Sequence, residues 1–305
     1  MTVATDGATE AADPRRAAGW TVPALAACSR ALPPECWERL CGLLGLAMGL
    51  LPLRDVRRAR EHLGRAYPER GGAWADATAA RAFAHAGRMA GAVIAAFGRD
   101  ARHGRRRLVV DDPERLRIAV RRLRAGQGCL VFTGHLGNWE LMGRAIGAAL
   151  PLTVIGRRLR SPRADGLVRI LRTATGTRQL DQDTDPRRIL AELRGGRLVA
   201  TLADQDIPRL AGCFVPWFGI PAWTPVTPGV LAQSAGAWTL AACYRAGGRW
   251  RLHLGPLHPV PRAADRQAAA EAITAAATAE FEALVRRHPA QWAWWHKRWR
   301  TRPPG

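Results

Sequence analysis

A chain of 305 residues is long enough for one large α/β domain with a helical lead-in, and a 48% hydrophobic content supplies a full core, which excludes wholesale disorder. A formal net charge of +21 points to anionic partners: nucleic acid, acidic membrane lipid or a phosphorylated substrate. Cys28, Cys36, Cys41, Cys129, Cys213 and Cys243 form no Cys-x-x-Cys pair and no Cys/His set with zinc spacing, so neither a disulfide framework nor a metal site is expected.

Residues 1–16 read as a flexible tail, without the basic start and immediate apolar core of a signal peptide. Residues 17–107 read as an N-terminal helical region. Within it, Leu40 to Leu53 runs without a charge, and as a helix it would be about 21 Å long against a hydrocarbon core of about 30 Å. Arg54, Arg57, Arg58, Arg60 and Arg65 follow directly. An apolar plug joined to basic residues suits a helix lying in the interface of an anionic membrane; a helix buried against the main domain is the alternative. Ala73 to Phe97 reads as one Ala-rich helix after the break at Tyr67-Pro68, and Arg99 to Arg107 as a basic linker.

From residue 108 to 300 the period becomes an α/β alternation, with 301–305 a short tail. A helix over Pro113–Ala125 precedes a strand at Cys129–Thr133, a helix at Trp139–Leu150, a strand at Leu152–Ile155 and a helix at Pro162–Thr175. Asp185-Pro186 caps another helix, ended by Gly195-Gly196, and Leu198–Ala203 is the third strand. Trp238–Arg245 and Arg249–Leu254 flank Gly247-Gly248 as a hairpin, and Ala263–Arg287 is a long helix. The order predicts an α/β fold: a mixed central sheet flanked by helices, preceded by a membrane-associating helical segment.

The first strand runs into Gly134-His135-Leu136-Gly137-Asn138-Trp139-Glu140, where a ligand site in an open α/β sheet is expected. His135 and Glu140 lie five residues apart, roughly 140° around one regular helix, so they meet only if His135 sits in the turn and Glu140 in the first helical turn. A carboxylate beside the ring would hold its tautomer and offset the imidazolium, as a general base at neutral pH requires. A capped helix with a hydrogen-bonded histidine is the bland alternative. Asn138 either touches substrate or makes a local Asx hydrogen bond. Arg157 and Arg158 follow the second strand and could hold phosphate bidentately. Asp204 and Asp206 end the third strand on opposite faces, so one at most enters the cleft; Asp204 is the better candidate, orienting substrate or an arginine.

The segment Gly134–Glu140 resembles the His-x4-Asp/Glu motif of glycerolipid-type acyltransferases, and most closely the bacterial lipid A late acyltransferases. The likeness continues in order through Ala203-Asp204-Gln205-Asp206, Phe214-Val215-Pro216-Trp217-Phe218-Gly219 and His288-Pro289-Ala290-Gln291-Trp292-Ala293-Trp294-Trp295-His296-Lys297-Arg298-Trp299. It implies O-acyl transfer from an acyl carrier protein or coenzyme A thioester to a lipid A-type glycolipid hydroxyl. His135 would be general base, Glu140 its partner and Arg157 a phosphate contact, with no acyl-enzyme, no cofactor and no metal. It also implies work at the cytoplasmic face of a bacterial inner membrane. Another acceptor, such as a mannosylated phosphatidylinositol, is the alternative within the class. The tryptophans of the last block read as core or acyl-groove lining, or, beside His296-Lys297-Arg298, as an interfacial belt.

Two rivals are weighed against this. Ala232-Gln233-Ser234-Ala235-Gly236 is near a nucleophile elbow but lacks the first glycine. Net charge alone would suit a nucleic-acid-binding protein, yet no helix-turn-helix, zinc finger or aromatic RNA-binding signature accompanies it, so nucleic acid is not expected as a partner.

Overall fold

The alternation expected after residue 108 builds a mostly parallel sheet in the computed structural model, which describes residues 21–97, 99, 108–260 and 264–304. Its strands are β1 (Leu108–Val110), β2 (Cys129–Thr133), β3 (Leu152–Gly156), β4 (Arg178–Asp181), β5 (Leu198–Leu202), β8 (Ala237–Ala246), β9 (Arg249–Leu254) and β10 (His258–Pro259). They lie in the order β1-β9-β8-β2-β5-β3-β4, with β10 paired to β8. The β8–β9 and β8–β10 pairings are antiparallel and the rest parallel. Gly247 and Gly248 turn the β8–β9 hairpin, as their sequence pattern predicts. Outside the sheet, β6 (Gly212–Trp217) and β7 (Ile220–Pro225) pair as a two-stranded ribbon.

Helices cover both faces. Strand β2 alternates: Val131 packs with Leu141, Met142 and Ile146 of the helix that follows, while Leu130 and Phe132 pack with Ile189, Leu193 and Leu231 on the other side. These helices are α5 (Pro113–Arg124), α6 (Trp139–Gly147), α7 (Pro162–Thr173), α8 (Pro186–Arg194), α9 (Thr227–Ala235) and α10 (Arg266–Arg287). Asp112, Asn138, Ser161, Asp185 and Asp265 cap five of them through side-chain oxygens, which explains their boundaries.

Ahead of the sheet lie α1 (Thr21–Ala31), α2 (Pro34–Leu50), α3 (Arg54–Ala66) and α4 (Gly72–Ala96). The expected tail over residues 1–16 and most of the basic linker at Arg99–Arg107 fall outside the described residues. Helix α2 begins six residues before the apolar run and ends before Pro52. Its packing inverts the usual pattern. Gly42, Gly45 and Gly49 are buried against α4, whereas Leu43, Leu44 and Leu50 are 66%, 59% and 65% exposed. The helices touch backbone to backbone: a methyl group at Gly45 would stand 2.2 Å from the Phe83 carbonyl oxygen, and one at Gly87 2.0 Å from that of Cys41. Among the described residues no single helix is long and apolar enough to cross a membrane, although α2 and α3 pass together as a pair bent by 79°.

This seam sets opposite signs for two glycine-to-alanine changes. Alanine is favoured over glycine inside a helix by about 1 kcal/mol. Gly64, in α3, has nothing near its would-be methyl group, so Gly64→Ala should stabilise by about that amount. Gly87→Ala should instead destabilise by about 1–3 kcal/mol through overpacking. Urea unfolding of the two variants measures both.

Candidate active site

The register of two parallel strands creates the site. Thr133 of β2 lies opposite Leu202 of β5, so the residues two positions beyond each strand, His135 and Asp204, emerge side by side at the carboxyl edge of the sheet. His135 Nδ1 is 2.8 Å from Asp204 Oδ1, and the His135 backbone N–H donates to Asp204 Oδ2 at 2.7 Å. The Trp292 indole N–H adds a third bond to Oδ2 at 2.8 Å. With Nδ1–H given to the carboxylate, His135 keeps Nε2 as the basic nitrogen. Burial alone would raise the Asp204 pKa. The charge and hydrogen bonds of His135, with His296 beside it, outweigh burial and hold the carboxyl well below the usual range.

Two glycines allow the approach. A methyl group at Gly134 would sit 2.3 Å from the Phe281 ring and 2.8 Å from the Asp204 carboxyl carbon. Gly137 has φ of 68°, and its Cα lies so close to the Cys243 carbonyl that a methyl there would come within 1.7 Å of the oxygen.

The expected partner of His135 is therefore corrected. Glu140, in the first turn of α6, is bound instead by Arg172 of α7, whose Nε and Nη2 donate to its two carboxylate oxygens at 2.9 and 2.5 Å. The helix turns Glu140 toward α7, while β5 brings Asp204 behind the ring. Glu140 and His135 still line one cleft of about 860 Å³, together with Trp139, Arg157, Arg209 and Arg300. Asp204 was expected to meet substrate, but it is 4% exposed and stands behind His135 rather than in the cleft. Asp206, rather than Asp204, is the one that lines the cleft, and it holds the Thr301 backbone N–H and hydroxyl.

The remaining candidates separate. Arg157 lines the cleft and has no carboxylate partner among the described residues. Arg158 lies outside the lining and is bound to Asp181 at 2.7 Å, so its expected phosphate role gives way to an ion pair. Asn138 is fully buried: its side chain caps α6 by accepting from Leu141 N–H, and its own N–H donates to Cys243 O, so the Asx alternative replaces the substrate contact. Ser234 lies inside α9, its hydroxyl on the Val230 carbonyl, with no strand before a tight turn, so the elbow is absent.

Sequence reasoning missed His296 and Arg172. His296 stands with its ring 4.4 Å from that of His135 at 81°, and the Gln205 amide nitrogen donates to its Nδ1 at 2.9 Å. Burial, then the neighbouring His135, pushes its pKa down to about 4. The interfacial belt expected of the last block is likewise corrected: Trp292, Trp294, Trp299 and Arg298 are buried, and core is the reading that holds. Between α6 and the sheet a narrow apolar cavity, lined by Val131, Met142, Ile146, Leu150 and Val154, shares Trp139, Glu140 and Arg172 with the cleft. The set can do one kind of chemistry. An oriented base, an apolar slot and guanidinium groups that have no carboxylate partner among the described residues suit deprotonation of a hydroxyl beside a substrate that is both greasy and anionic.

Acid should weaken the fold. His296, with its pKa near 4, and His85, pushed to about 3 by burial and the nearby Arg88 and Arg245, stay neutral when folded. Unfolded, both rings take a proton near pH 6.5, so protons favour the unfolded state as pH falls from about 6.5 toward 4. Denaturant unfolding should show stability falling by up to about 1.4 kcal/mol per pH unit for each ring, and His296→Phe should remove one share of that slope.

A family described as bacterial lipid A biosynthesis acyltransferase matches residues 5–301 of the chain. The phosphatidylinositol mannoside acyltransferase of Mycobacterium tuberculosis (strain ATCC 25618 / H37Rv) is 29% identical over 183 residues, which cover 58% of this chain and 56% of that protein. The protein of the same description from Mycolicibacterium smegmatis (strain ATCC 700084 / mc(2)155) is 28% identical over 183 residues, 58% of each. The chain thus aligns with somewhat more than half the length of these curated relatives.

Proposed function

This chain belongs to the bacterial lipid A biosynthesis acyltransferase family, and from that premise we propose that it transfers a fatty acyl group from a thioester to a hydroxyl of a glycolipid. The observation that carries the reading is the Asp204–His135 pair at the mouth of a cleft that adjoins an apolar cavity. The acyl chain lies in the apolar cavity and the sugar hydroxyl meets His135 Nε2. As the hydroxyl oxygen attacks the thioester carbonyl carbon, its proton passes to Nε2; the C–O bond forms, the C–S bond breaks, and the proton leaves with the departing sulfur. Asp204 keeps the tautomer and offsets the charge on the ring. None of the six cysteines lines the cleft, and burial raises the Cys129 thiol to about 12, which supports direct transfer without an acyl-enzyme.

The relatives' descriptions favour a mannosylated phosphatidylinositol as acceptor; the family's description favours a lipid A-type disaccharide as the second reading. Both carry phosphate, and the position of Arg157 in the cleft lining supports a contact with it. The donor is an acyl carrier protein or coenzyme A thioester, and both donors are anionic, which a net charge of +21 would attract. Comparing lipid masses from a deletion strain and its complement separates the acceptors. In a transfer assay, His135→Ala and Asp204→Asn should each lower kcat by about 10²–10⁴-fold. Glu140→Gln should cost less, because that carboxylate is committed to Arg172. Full activity in folded His135→Ala would falsify the reading.

Working position is part of the proposal: the protein sits on the cytoplasmic face of the inner membrane, with α2 lying in the interface. Supporting it are the outward leucines of α2, the glycine seam behind them, and the arginines that open α3. Leu43→Asp with Leu44→Asp should abolish sedimentation with vesicles rich in anionic lipid while leaving the unfolding midpoint nearly unchanged.

A further inference from the structure

Arg298 is fully buried, yet among the described residues no carboxylate pairs with it. Its Nη1 donates to the Trp223 carbonyl at 2.7 Å and its Nη2 to the Thr224 hydroxyl at 2.8 Å, both neutral acceptors, with the Trp217 ring 5.4 Å from the guanidinium carbon. A buried charge held only by neutral groups is costly unless an anion compensates it nearby. Burial lowers the Arg298 pKa to about 10, so the cation persists at neutral pH, and the acids that oppose the shift are Asp204 and then Asp206.

A small internal cavity joins that cation to the active site. It measures about 20 Å³ and is lined by Asp204, Arg298, Trp217, Thr133 and Thr278 among apolar neighbours. The Arg298 Nε and the Trp217 indole N–H are both buried there without a partner among the described residues. Asp204 Oδ2 already takes two hydrogen bonds while Oδ1 takes one, so a lone pair on Oδ1 remains. A volume of roughly 10–15 Å³ suffices for one water, which needs two to four polar partners. This cavity offers that number.

We infer that Arg298 is a positioning residue for the base: the buried counter-cation of Asp204, coupled to it through a water molecule in this cavity, which limits how strongly the carboxylate holds a proton on His135. The inference rests on the reading of His135 as general base. Other groups facing the pair are His296, held by Gln205 and within the field of Asp55; Glu140, neutralised by Arg172; and Asp206, bound to Thr301. Removing the cation leaves Asp204 freer to stabilise the imidazolium, so His135 should keep its proton to higher pH.

The test is an NMR titration of the His135 ring in the full chain, beside the pH profile of kcat/KM. In Arg298→Met the ring midpoint and the acidic limb should rise together by roughly half a unit to one unit. Arg298→Lys, which keeps the charge, should leave both nearly in place. Trp217→Phe keeps an aromatic ring in the core and removes one N–H that holds the water; it should shift the midpoint the same way by less, and it decides the matter should Arg298→Met not fold. An unmoved or lowered midpoint in Arg298→Met, or in Trp217→Phe where that variant decides, overturns the inference. Transfer activity surviving in His135→Ala would instead sink the functional reading, and the ring titration would still report on the coupling.

Discussion

The hydrogen bond between His135 and Asp204 is the constraint around which the rest is arranged. It joins the ends of two adjacent parallel strands, and it exists because β2 and β5 pair in one register. A slip by one residue would turn every side chain of one strand to the wrong face and part the two groups. The sheet's core therefore fixes the chemistry: Leu130, Val131 and Phe132 cannot change partners without exposing a packed face.

Around that bond the fold removes water and adds donors. Three N–H groups converge on Asp204, and the tryptophans of the C-terminal segment seal it from behind. The β6–β7 ribbon joins the same cluster, its tip Phe218 lying in the left-handed region with its N–H donating to Glu282 and the Arg286 guanidinium over its ring. In so dry a setting each charge acts strongly on its neighbours.

Much of the framework was legible in sequence. The first three core strands, the capped helices and the Gly247-Gly248 hairpin follow from period, capping residues and turn chemistry, and each lies within a residue or three of its expected place. Strand β4 was missed because Arg178-Gln179-Leu180-Asp181 is a polar edge with one apolar residue. The β6–β7 ribbon was missed because Pro216, Pro221 and Pro225 argue against a strand, and a ribbon outside the main sheet tolerates them. The site divides in the same way. His135 stood out through its glycines and its place after a strand. Its partner did not, since Asp204 is distant in sequence and only strand register selects it over the nearer Glu140. Arg298 was read with its neighbours as part of an interfacial belt, because nothing local distinguishes a buried arginine from the many exposed ones.

Helix α3 braces the segment that carries His296. Leu53 precedes α3, whose Arg58 donates to the Trp295 carbonyl and whose His62 bonds that of Trp294. The next residue is His296, ring to ring with His135. A chain clipped of its first helices would thus lose more than a greasy outer face. It would lose the brace under the His296 imidazole, which flanks that of His135, so trimming the helical lead-in disturbs the geometry of the site as well as the surface.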